Sequence, residues 1–166
     1  MARRNTASQV ALGGVLAAVA LVIQCLGGLI PLATFVCPML CMLLLAFVSN
    51  RCERRMAWAW YGAVALLSLL LGPDKEAAAV FAFLGYYPIV KPKLDRCPLQ
   101  WLWKGLLFNA SIGLMYVVLL NVLGMAELAA EFREMGIVLG AATLALGNVT
   151  FFLLDRLLRM RFGKTK

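Results

Sequence analysis

The chain has 166 residues, 63% apolar and 14% charged, with a mean hydropathy of +0.88. Soluble domains run about half apolar and a quarter charged, so these values exclude a soluble globular enzyme, a disordered chain and a nucleic-acid-binding domain. The formal charge is +8, and the absence of histidine further excludes histidine-based metal sites, proton shuttles and catalytic triads.

A bilayer crossing takes about 20 helical residues, and six crossings take roughly 120. That leaves no length for a separate soluble domain, and the whole of 1–166 reads as a single all-α transmembrane domain. A first helix is expected over 8–30, after Arg3-Arg4 and ending near Gly27-Gly28 and Pro31. Its apolar run is too long for a signal-peptide core, so it reads as a membrane helix. A second helix over 32–49 stops at Asn50-Arg51-Cys52-Glu53-Arg54-Arg55, because charged groups resist hydrocarbon. A third spans 56–71 and ends at Gly72-Pro73. A short fourth spans 75–90 and is closed by Lys91-Pro92-Lys93-Leu94-Asp95-Arg96. It contains Gly85-Tyr86-Tyr87-Pro88, where Pro88 predicts a kink and the tyrosines predict an interfacial belt. A fifth spans 100–123, a polar stretch follows from Glu127 to Glu134, and a sixth spans 135–157 before a basic tail.

The charges fix the expected topology. With the N-terminus inside, 14 of the 16 Lys and Arg fall on the inner side, and only Lys75 and Arg133 fall outside. The inner acids are Glu53, Asp95 and Asp155; the outer ones are Asp74, Glu76, Glu127, Glu131 and Glu134. The split, +11 inside and −3 outside, predicts six crossings with both termini cytoplasmic. Trp58, Trp60, Trp101 and Trp103 all fall at inner helix ends, where indoles favour the interface.

No ionisable residue lies near the middle of a predicted span, which argues against proton-driven transport and against a pore lined by charged rings. The interior polar groups are neutral: Gln24, Ser68, Asn109, Ser111, Tyr116, Asn121, Thr143, Asn148 and Thr150. At about 1.5 Å rise per residue, Asn109 and Asn148 lie at matched depth, suited either to interhelical hydrogen bonding or to a ligand. Gln24 lies in the outer third of the first helix, with Asn121, Tyr116, Asp74, Lys75 and Glu76 available near the same side for a solute site. Asp74 after Pro73 equally suits an N-cap, and Glu76 suits the positive end of the helix dipole.

Ala7, Ala11, Gly14 and Ala18 line one face of the first helix, with Gly13 and Ala17 beside them. Such a face packs within the chain or docks another subunit. Cys37 and Cys41, spaced i, i+4, read as apolar fillers. No phosphate-binding loop, metal spacing or catalytic constellation is present. The chain is therefore expected not to be an enzyme, to need no cofactor, and to rely on other chains for any ATP-driven work.

This architecture, with the run Val10-Ala11-Leu12-Gly13-Gly14-Val15-Leu16-Ala17-Ala18-Val19, resembles the substrate-binding S-components of energy-coupling factor (ECF) transporters. The resemblance implies a protein of the bacterial cytoplasmic membrane that binds a vitamin or similar small solute from outside. It also implies docking to a transmembrane coupling subunit through Ala7, Ala11, Gly14 and Ala18, with two ATPases supplying the energy. A rival resemblance is to the rod-shape-determining MreD family, small membrane scaffolds of similar size and topology. A solute-binding chain needs a pocket near Gln24 and Asn121, whereas a scaffold fills that region.

Overall fold

The structure is a computed structural model that describes residues 2–27, 33–95, 99–121, 141 and 144–160. The described residues are helical apart from short turns, in keeping with the expected all-α class. In chain order the helices are α1 (Ala2–Gly27), α2 (Ala33–Arg51), α3 (Arg54–Leu71), α4 (Lys75–Leu84), α5 (Tyr87–Leu94) and α6 (Gln100–Asn121), and residues 144–160 are helical as well. The polar stretch 127–134 and the tail beyond 160 lie outside the described residues.

The helix limits follow local chemistry. The N–H of Gly72 closes α3 on the Ser68 carbonyl at 2.8 Å. Asp74 caps α4, its carboxylate accepting from the Ala77 N–H at 3.0 Å, and Glu76 lies in the first turn, where a negative charge answers the helix dipole.

The helix expected over 75–90 is two helices, and the second runs on to Leu94. Two groups interrupt the hydrogen-bond ladder between them. Pro88 has no N–H to give to the Leu84 carbonyl, and the Tyr61 hydroxyl takes the Ala82 carbonyl. Gly85 at the junction lies under the Tyr61 ring, and a Cβ there would clash first with the Phe81 carbonyl oxygen and then sit 2.9 Å from Tyr61 Cε2. Gly85→Ala is therefore expected to lower stability by about 1–3 kcal/mol, the usual range for overpacking. An unfolding midpoint in detergent equal to the parent's would mean that both the junction backbone at Phe81 and the Tyr61 ring give way freely.

The core is built around α2 and α4. Met42, Leu45, Phe81 and Leu84 are buried there, joined by Tyr87 of α5 and by Phe108 and Met115 of α6. Trp60 departs from its expected place at an interface: it is buried, and its indole N–H donates to the Gly13 carbonyl at 2.9 Å. That bond pins α3 to α1 through the small residue at Gly13. Trp58, Trp101 and Trp103 remain exposed. Tyr87 is likewise no belt residue; it is fully buried and donates to Asp155, while Tyr86 is half-buried with its hydroxyl 3.4 Å from Ser111 Oγ.

Large apolar side chains cover the outside, among them Val10, Val22, Leu66, Leu70, Leu102 and Leu106. Among the described residues two helical stretches, Ala7–Gly27 and Gln100–Leu119, are long and apolar enough to cross a membrane. On this apolar exterior the amides of Asn109 and Asn148 satisfy each other reciprocally at 3.2 Å, and each also donates to a carbonyl one turn back in its own helix.

Candidate functional site

Gln24 stands apart from every other interior polar residue among those described. Ser68, Asn109, Ser111, Tyr116, Asn148 and Thr150 all have hydrogen-bond partners, and Asn121 and Thr143 lie outside the described side chains. Gln24 is 2% exposed, and neither its Nε2 nor its Oε1 has a partner. A buried amide left unsatisfied costs about 1–3 kcal/mol, so the chain keeps it against its own stability.

Helix register places the residue. The Cys41 thiol donates to the Ala20 carbonyl at 3.4 Å. Because α1 and α2 are joined by only residues 28–32, they run antiparallel, and one turn along α1 from Ala20 meets one turn back along α2 from Cys41. Gln24 therefore shares a level with Cys37, which is buried. The Asp74 carboxylate at the start of α4 is close enough to act electrostatically on Cys37. One residue beyond Lys75, Glu76 accepts a 2.7 Å hydrogen bond from the Tyr116 hydroxyl of α6. Three helices, α1, α4 and α6, thus bring Gln24, Asp74, Glu76 and Tyr116 to one end of the bundle. Lys75 points elsewhere: its ammonium donates to the Leu69 carbonyl at 2.9 Å and so serves the C-terminal end of α3. Asn121 closes α6, and its side chain lies outside the described residues.

The small-residue stripe divides in two. Ala7, Ala11, Gly14 and Ala18 are exposed, and a Cβ added at Gly14 would meet nothing within 4 Å. Gly13, Ala17 and Ala20 turn inward and pack against the core. Cys37 and Cys41 are buried, as expected of fillers, whereas Cys25 is exposed.

The opposite end of the bundle holds a charged cluster that the sequence reading placed among flanking segments. Lys91, Lys104 and Asp155 are all buried, the last two to 4% exposure. Asp155 accepts from Tyr87 and pairs with Lys91, with Lys104 at 3.2 Å and with Arg159 at 3.4 Å. Asp95 pairs with Lys104 and lies 3.6 Å from Lys91. The visible signal was position: Lys104 lies four residues into the apolar α6, and Asp155 follows Phe151-Phe152-Leu153-Leu154. Set against families of known proteins, characterised proteins and solved structures, the chain has no match.

Proposed function

We propose that the chain is a multi-pass protein of a bacterial cytoplasmic membrane, with six crossings and both termini inside. In this reading it is the substrate-binding subunit of an ECF-type importer and captures a vitamin or similar small solute from outside. The apolar exterior, the reciprocal Asn109–Asn148 pair and the burial of Lys91, Lys104 and Asp155 inside the bundle favour lipid as the surrounding solvent. The observation that carries the solute reading is Gln24: a buried amide with both functions unpaired is a liability in a scaffold and an asset where a ligand completes it. Asp74, Glu76 and Tyr116 lie at the same end, and Asn121 ends the helix that carries Tyr116. Lys75 is reassigned to capping α3.

The same proposal gives the exposed face of α1, Ala7, Ala11, Gly14 and Ala18, to a transmembrane coupling subunit, with two ATPases supplying ATP hydrolysis. Gly14→Trp adds bulk where the chain itself has open space, so its unfolding midpoint should match the parent's. Affinity purification of the tagged variant should lose the coupling subunit and ATPases that accompany the parent. Retention of both subunits would place docking on another face.

The solute reading is tested by mass spectrometry of small molecules released from the purified chain. One solute should be recovered from the parent and at least tenfold less from Gln24→Leu. No solute from the parent, or equal recovery from both, would remove the solute role and leave a scaffold.

A further inference from the structure

We propose that Arg159 and Trp101, at the charged end of the bundle, form a binding site for the headgroup phosphate of an anionic phospholipid. The inference rests on the membrane part of the reading above and is independent of a solute at Gln24 and of a coupling subunit.

The charge balance leaves a cation over. Among the described residues the cluster sets three cations, Lys91, Lys104 and Arg159, against two carboxylates, Asp95 and Asp155. In sequence the neighbouring stretches 96–98 and 161–166 add Arg96, Arg161, Lys164 and Lys166 and no acidic side chain, and the inner segments as a whole carry +11. The geometry puts the surplus on Arg159. Asp155 is already met by the Tyr87 hydroxyl and by the buried ammonium groups of Lys91 and Lys104. Arg159 reaches it with one nitrogen at 3.4 Å, long for a charge-assisted bond, and 48% of its side chain stays exposed. A guanidinium carries five N–H donors in a fork that matches phosphate, so Arg159 has donors to offer. A surplus cation at the edge of hydrocarbon needs a counter-ion beside it, and the anionic lipids of the inner leaflet supply phosphate at that depth.

The walls favour a lipid over a dissolved anion. Trp101 and Phe152 stack with their ring centres 4.9 Å apart, and both are exposed. The Arg159 guanidinium carbon lies 5.9 Å from the centre of the Trp101 ring, within cation–π range. The cation therefore stands over an apolar aromatic pair, the arrangement that suits a membrane–water boundary. One turn further along α6, Gly105 lies on the same face as Trp101, and a Cβ there would meet nothing within 4 Å. An acyl chain below the headgroup thus has open helix surface to lie on, whereas a free phosphate gains nothing from the rings.

Native mass spectrometry of the full chain in non-ionic detergent tests the site. The probes are dioleoylphosphatidylglycerol and dioleoylphosphatidylcholine at equal concentration, which share their acyl chains and differ in headgroup charge. The parent should carry at least fivefold more of the phosphatidylglycerol adduct. Arg159→Gln should reduce that excess below twofold, and its unfolding midpoint should stay near the parent's because Asp155 keeps both lysines. Trp101→Leu, a second and independent variant, should reduce the adduct at least threefold. Arg54→Gln, which removes an exposed charge at the start of α3, should keep the parent's excess. Four results overturn the inference: equal binding of the two lipids by the parent, an unchanged excess in Arg159→Gln, equal losses in Arg54→Gln and Arg159→Gln, or displacement of the adduct by glycerol 3-phosphate, which would make the site one for a free phosphate. Lipid adducts without headgroup preference remove this site and keep the membrane reading. Recovery of the chain in the soluble fraction without lipid removes both.

Discussion

Asp155→Ala is expected to lower stability by about 3–5 kcal/mol, the usual loss when one partner of a buried charge pair is removed. Asp155 is the hub of its cluster, facing Tyr87 and Lys91 of α5, Lys104 of α6 and Arg159 of its own helix. Removing it leaves two buried ammonium groups with Asp95 alone, and Asp95 is about one-third exposed, so water screens its charge. Asp155→Asn keeps the shape and the Tyr87 hydrogen bond but loses the charge, and should fall between the parent and the alanine variant. Replacing Lys91 and Lys104 by Met together with Asp155 by Leu should recover most of the loss, because packed apolar residues commonly match a buried ion network in stability. Unfolding midpoints in detergent provide the check; a loss below about 1 kcal/mol for Asp155→Ala, the range of surface pairs, would show that water reaches these charges.

Gln24→Leu is expected to do the opposite and raise the stability of the solute-free chain by about 1–3 kcal/mol. The side chains are similar in size, and the change removes an amide whose desolvation nothing repays. Most substitutions in a core destabilise, so a gain here is a diagnostic sign of a residue kept for binding at the expense of stability. The same variant should lose its solute, which separates this outcome from a generic improvement in packing. A lower midpoint would show that Gln24 is held by packing that leucine cannot reproduce, and that the residue is structural.

The helical class was legible because long apolar runs punctuated by Gly, Pro and charge leave few alternatives. Pro88 made a kink in 75–90 legible, but the full division was not, since it also depends on Tyr61 reaching across from α3 to the Ala82 carbonyl, a contact no local pattern encodes. Matched depth allowed Asn109 and Asn148 either to hydrogen-bond across helices or to meet a ligand; that they pair with each other is a property of the packed bundle. Depth could not separate Trp60 from Trp58. Two positions apart on a helix they face different ways, and only the approach of Gly13 shows that Trp60 turns inward. Counting charges by segment treated Lys91, Lys104 and Asp155 as a topology signal; their convergence depends on α5, α6 and the 144–160 helix meeting. Gln24 stood out in sequence as an amide in an apolar helix, but its lack of a partner is a property of the packed bundle alone.

Placement in the bilayer, with the Gln24 end outward and the charged cluster inward, is tested most directly by labelling introduced cysteines with a membrane-impermeant maleimide. Pro73→Cys and Arg54→Cys put thiols at exposed positions at the two ends of α3. Above the background of the parent chain, Pro73→Cys should label in intact cells, and Arg54→Cys only after the membrane is opened. Equal labelling of both from outside, the reverse pattern, or recovery of the chain in the soluble fraction would contradict the membrane reading.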